Sequence, residues 1–347
     1  MARIFFLLLI IIPGMLMAQQ KRPAHHSDDG FVNPWPGYEN HGLAQVARWM
    51  LWDRLVKGSR REDSDSVRFD AGQNDPAFLR ANRDALTVTW VGHATLLLQI
   101  DGLNILTDPI WSERASPVSF AGPKRLMPPG IDFKELPEID AVLISHNHYD
   151  HLDTETLKKL AAQNDHITFF VPLGLGAFLE DLGIQRYEEL DWWQSVRLNG
   201  REFIATPTQH FSGRTLWDRD ETLWCSWVVI GAKNRFYYAG DTGYFPGFKE
   251  IGQRYGPFTL AAIPIGAYRP RWFMSPVHVS PVEAVQAYLD LGARYFIPIH
   301  WGTFVLADEP LREPPRLLME TVARRKLNPE NFRLLKHGET FIPGKER

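Results

Sequence analysis

From about residue 85 onward, short apolar runs recur along the chain, each ending in a polar or glycine-bearing turn. Leu86–Trp90 and Thr95–Ile100 alternate or run apolar, and Asp101-Gly102 supplies a turn before Leu103–Leu106. That pattern predicts successive strands joined by tight connections. Further strand-like runs occupy Ala141–Ile144, Glu202–Thr206, Arg235–Gly240 and Arg294–Ile299. Leu157–Gln163, Gly174–Leu182 and Pro281–Leu291 are helix candidates between them. Upstream, Ala44–Leu55 reads as an amphipathic helix. Its apolar face is expected to pack on the sheet, although Trp49, Met50 and Trp52 could instead touch lipid. Residues from about 19 to 30 read as polar and flexible, and Arg60–Ser66 as an exposed loop.

The chemistry gathers where these runs end. Ala141–Ile144 leads into Ser145-His146-Asn147-His148-Tyr149-Asp150-His151, and a helix-like segment opens at Asp153. His146 and His148 are two apart, so an extended backbone points both to one side. Neutral imidazoles with an ionised carboxylate form the ligand set that suits zinc and its first-row neighbours. Asp150 and His151 fall naturally around a second ion. A polar surface loop with chance histidines is the bland alternative, and it leaves the downstream residues unexplained. His210 follows Glu202–Thr206, Asp241 ends the run beginning at Arg235, and His300 ends the run beginning at Arg294. Each lies at the carboxyl end of a β-run, where open sheets place their sites. Any one alone would more often be structural; in this order, after HxHxDH, they read as ligands.

HxHxDH followed by separate His, Asp and His ligands resembles the metal signature of the metallo-β-lactamase superfamily. Longer blocks narrow the likeness: FVNPWP at 31–36, LTDPIWSERASPVSFAGPKR at 106–125, ELDWW at 189–193, NRFYYAGDTGYFPGF at 234–248 and IHWGTF at 299–304. These resemble the N-acyl-phosphatidylethanolamine-hydrolysing phospholipase D family. The resemblance implies an α/β fold, a four-layer αββα sandwich with the site at its edge. It implies two Zn2+ per chain, one held by His146, His148 and His210, the other by Asp150, His151 and His300, with Asp241 bridging. Asp150 and His278 would be catalytic, with His278 near the substrate phosphate. In vertebrate members a glutamine precedes that histidine, where this chain has Val277. His93 is expected to orient a ligand by hydrogen bond, and Tyr149 to face substrate or to pack. The implied reaction is attack of a hydroxide shared by the ions on phosphorus, releasing an N-acylethanolamine and phosphatidic acid. His25, His26, His41, His166 and His337 receive no role.

Composition sets the outer bounds. The 347 residues are 44% hydrophobic and 23% charged, as in ordinary globular proteins. A net charge of -3 without a Lys/Arg run argues against the nucleases of this superfamily, which need a basic track for phosphates. No nucleic-acid partner is expected; a phospholipid substrate and peripheral membrane contact are, and a dimer is open. Cys225 is the single cysteine, so no internal disulfide forms. Met1-Ala2-Arg3 precedes an apolar run of about 14 residues, within secretory range and short of the roughly 18 that span a bilayer. Residues 1–18 are expected to be a signal peptide, or an uncleaved anchor, giving an exported, periplasmic or membrane-associated protein. Residues 19–84 form an N-terminal extension and 85–347 the hydrolase domain. Two alternatives stay open: a metal-dependent lactonase or carboxyl-ester hydrolase, and a non-catalytic metal-binding envelope protein.

Overall fold

The computed structural model describes residues 22–38, 41–51 and 67–345. The leader and the loop at 60–66 lie outside the described residues. Two sheets face one another. The first has seven strands in the order β15-β3-β4-β5-β6-β7-β8, the second six in the order β14-β13-β12-β11-β10-β9. Two short strands, β1 (His26–Ser27) and β2 (Gly30–Phe31), form a separate hairpin ahead of them. The segment read as flexible is therefore partly ordered.

In the first sheet β3 (Thr87–Gly92), β4 (Thr95–Ile100) and β5 (Leu103–Thr107) are antiparallel neighbours. β6 (Ala141–Leu143), β7 (Thr168–Pro172) and β8 (Tyr187–Leu190) continue it in parallel. In the second, β9 (Ser195–Leu198), β10 (Arg201–Thr206), β11 (Ser226–Ile230) and β12 (Arg235–Tyr238) meander antiparallel. β13 (Leu260–Pro264) and β14 (Tyr295–Ile299) then add in parallel. The short β15 (Thr340–Phe341) closes the first sheet against β3.

The helices cover the outer faces. α2 (Pro76–Ala81), α3 (Thr154–Gln163) and α4 (Gly176–Asp181) contribute Leu79, Leu157, Leu160 and Leu179 to a cluster on the first sheet. α5 (Gly247–Tyr255), α7 (Pro281–Leu291) and α8 (Glu313–Arg324) cover the second. α7 begins in a capping box, Ser280 with Glu283, has Pro281 at its first turn, and stops at left-handed Gly292. Strand alternation sorts the side chains: Phe203 and Ala205 enter the cluster between the sheets, while Ile204 faces the helices. Phe170 stacks on Phe203 at 4.2 Å, tying sheet to sheet. This is the αββα sandwich.

α1 (Leu43–Ala47), continued by a π turn, lies elsewhere. Its Trp49 packs with Ala267, Met274 and Ala307, beside the short α6 (Arg271–Met274), and donates to Asp308 at 2.6 Å. An amphipathic pattern specifies an apolar face without naming its partner, and here the partner is a loop region, not the sheet.

Candidate metal centre

Topology brings the candidate residues to one edge. β3, β5 and β6 run the same way, as do β10, β12, β13 and β14, so their carboxyl ends share a rim. His93 and Asp108 follow β3 and β5. The HxHxDH loop follows β6, and His210, Asp241 and His300 follow β10, β12 and β14. The rim is tight. A Cβ on Gly240, φ 59°, would lie 2.5 Å from the Cβ of Ser145, so glycine is needed where the Asp241 turn meets the His146 turn. His93, Asp108 and His300 have φ of 53°, 32° and 61°. Such left-handed backbone at non-glycine residues is costly and clusters at functional sites.

Two groups of ligand atoms result. His146 Nε2 and His148 Nδ1 approach to 2.8 Å, and His210 Nε2 lies 3.3 Å from His148 Nδ1. In the second group, Asp150 Oδ2 is 3.4 Å from His151 Nε2 and 3.3 Å from His300 Nε2. Asp241 Oδ2 stands between the groups, 3.1 Å from His151 and His300 and 3.9 Å from His210. Ligands at about 2.0–2.1 Å around one tetrahedral ion sit about 3.3 Å apart, close to most of these separations.

Outer partners fix the tautomers. Asp108, wholly buried, accepts from His151 Nδ1 at 2.6 Å and from Ser145 Oγ at 2.5 Å. Tyr238 also donates to it. Ser145 Oγ in turn faces His146 Nδ1 at 2.9 Å, and His210 Nδ1 donates to the Val277 carbonyl at 3.0 Å. In all three histidines the Nδ1 proton is engaged, which leaves the Nε2 lone pair for the site. His151 Nε2, Asp241 Oδ1 and His278 Nδ1 are buried with no hydrogen-bond partner. Orphaned buried atoms are rare in native proteins, and a cation is what satisfies such a set. The residues fit a metal.

Charge tells the same story. Burial, aided by neighbouring histidines, pushes His146 well below the ordinary imidazole range. Burial likewise lowers His148 and His278 to about 4 and His210 well below its usual value, so these rings are neutral. Burial opposes charge on His151 and His300 too, but Asp241 and Asp150 outweigh it, raising His151 far up and His300 to about 9. Two carboxylates in a buried rim require positive charge nearby.

His93 Nε2 meets Asp150 Oδ2 at 2.9 Å, as an orienting residue would, and its carbonyl accepts from His300 N–H. His278 stands over the site, Nδ1 3.9 Å from Asp241. Tyr149 faces away: its ring lies under the Arg214 guanidinium at 3.9 Å and lines a separate polar cavity. His41, given no role from sequence, lines the cavity above the candidate ligands and stacks on Phe273. His337 is buried against Trp90 and pairs with Thr303. His25 and His26 share Asp191. Asp108 was missed, although it stands in the Thr107-Asp108-Pro109 of a family-like block. The cavity over the metal groups measures about 340 Å³ and is walled by apolar residues including Val46, Trp49, Phe273 and Val277.

A family model described as the beta-lactamase superfamily domain matches residues 103–301. The chain belongs to the metallo-β-lactamase superfamily. Within it, the chain is 43% identical over 272 residues to N-acyl-phosphatidylethanolamine-hydrolyzing phospholipase D 1 of Caenorhabditis elegans, covering 75% of this chain and 76% of that protein. An uncharacterized protein of Mycobacterium tuberculosis is 40% identical over 309 residues, covering 88% and 81%. A metallo hydrolase of Ignicoccus hospitalis superposes with a TM-score of 0.57 at 21% identity, over 76% of this chain and all of that one, which shows the shared fold. The chain is thus a metal-dependent hydrolase of the superfamily, with phospholipase D relatives.

Proposed function

We propose that the chain is a zinc-dependent phosphodiesterase of phospholipase D type, acting on N-acyl-phosphatidylethanolamine-like lipids. The observation that carries this reading is the convergence of seven His and Asp side chains beneath an apolar cavity, in a chain 43% identical to a phospholipase D. His146, His148 and His210 would hold one ion, Asp150, His151 and His300 the other, and Asp241 both. Such a pair supplies charge neutralisation at phosphate oxygens and a water acidic enough to react at neutral pH. Around it, Asp108 and His93 fix the ligands. His278, with a buried Nδ1 that has no other partner, offers a hydrogen bond to a phosphate oxygen or to the departing alkoxide.

At about 340 Å³ the cavity is near the lower end of small-molecule sites, about 300–1,000 Å³. It suits a phosphodiester and its nearest groups, with acyl chains leaving through the mouth. Val277 keeps that wall apolar. Val46 lines the cavity and, like Met50 and Leu51 beside it, is exposed, which favours peripheral contact with a lipid surface. No helix among the described residues is long and apolar enough to cross a membrane. Export by the N-terminal apolar run belongs to the same proposal.

The test is a panel of labelled lipids and lactones, assayed with metal-stripped and zinc-reloaded protein. Zinc-dependent release of phosphatidic acid and N-acylethanolamine is expected. Lactone opening without phosphatidic acid would replace the phosphodiesterase reading.

A further inference from the structure

The FVNPWP and ELDWW blocks contain none of the proposed metal ligands, yet the fold brings them together beside the metal rim. His25 and His26 each contact one oxygen of Asp191, at 2.6 and 2.8 Å, and His25 stacks on Trp192 at 4.2 Å. Trp35 stacks on Trp192 and packs on Phe245. Thus fastened, the segment runs on to His210. Asn33 Nδ2 donates to the His210 carbonyl at 2.7 Å.

The target of that bond matters. His210 opens the long connection between β10 and β11, a stretch without strand or helix. Its ring is held at the other end by the Val277 carbonyl. The connection's far side is pinned by the same N-terminal segment, because Phe31 N–H donates to Asp220 O at 2.8 Å. Gly30, φ 141°, makes that approach possible; a Cβ there would lie 2.1 Å from the Asp220 carbonyl oxygen. A second line reaches the same turn through indoles: Trp192 Nε1 donates to Trp224 O, and Trp224 Nε1 to Thr208 O.

We propose that residues 25–35 are a strap, clasped by His25–Asp191–His26, whose Asn33 is a positioning residue for His210 and so for metal affinity in the His146, His148, His210 group. The strap acts on a ligand's backbone, from outside the cavity. The inference rests on the metal centre and not on the choice of lipid as substrate.

The experiment titrates zinc into metal-stripped full-length protein against a chromogenic chelator, so its readout needs no substrate. Asn33→Ala weakens one zinc equivalent about 10-fold or more, the scale for losing an outer partner. Asn33→Asp keeps the size but sets an oxygen against the carbonyl, and it loses at least as much. His25→Ala/His26→Ala loosens the strap and gives a smaller loss, and adding Asn33→Ala to it costs less than in the wild type, because the two act through one segment. Wild-type affinity in Asn33→Asp would overturn the proposal, as would full additivity of the clasp and Asn33 changes. Should Asn33→Ala fail to fold, the Asp variant and the clasp variant still decide. A wild-type protein that binds zinc but cleaves no phospholipid leaves this result standing and removes only the lipid reading.

Discussion

Two clusters of histidine and aspartate stand apart among the described residues, and their geometry separates them. At the His25–Asp191–His26 clasp each imidazole faces its own carboxylate oxygen at 2.6–2.8 Å, and no buried atom is left without a partner. Protons complete it. At the metal rim, His151 and His300 lie 3.1 Å from one oxygen of Asp241, and His151 Nε2 has no hydrogen-bond partner despite that closeness. The ligand atoms there crowd together without all pairing off. Residue types alone do not distinguish a metal centre from a hydrogen-bonded clasp; what distinguishes them is whether the donors and acceptors exhaust one another.

The sharpest break of this comparison is removal of a shared ligand. Asp241→Ala is expected to abolish metal-dependent hydrolysis, well beyond the ~100-fold upper scale for outer partners, and to lower bound metal per chain by elemental analysis. Next comes Asp108→Ala. It strips one acceptor from His151, Ser145 and Tyr238 together, at about 1–3 kcal/mol for each buried group left unpaired, read as a lower denaturant midpoint even without metal. Chelation comes third. Stripping the metal should lower the melting temperature by linkage, and His25→Ala/His26→Ala should leave that drop in place at saturating metal; a clasp variant that lost a metal equivalent would make the clasp a metal site. The smallest effect belongs to His166→Ala, an exposed histidine whose change should stay within about 0.5 kcal/mol in the same melt.

Much of this was legible beforehand. Thr95–Ile100 and Pro281–Leu291 have the predicted bounds, because alternation, a capping box and a terminal glycine are local signals. The convergence of the HxHxDH loop with His210, Asp241 and His300 was legible because uncommon residue types recur where a sheet presents its ends. Asp108 was not, since an aspartate before proline is ordinary turn chemistry and its partners are 37, 43 and 130 positions away. The same distance hid the clasp, whose carboxylate lies 165 and 166 positions beyond the histidines. For the helix at 43–47, periodicity announced an apolar stripe but carried no address for it. Its Trp49 went to the cavity wall instead of the sheet.

The terminal strand β15 carries a consequence for how the molecule is assembled. Thr89 and Thr340 meet as neighbours although 251 positions separate them. A nascent chain therefore holds β3, the strand that leads into His93, with a raw edge until the 251 positions to Thr340 have been made. Contacts of such long span slow folding, and bare edges invite pairing with other chains. Deleting β15 would thus leave every candidate metal ligand in place and still yield a protein prone to clump while it folds.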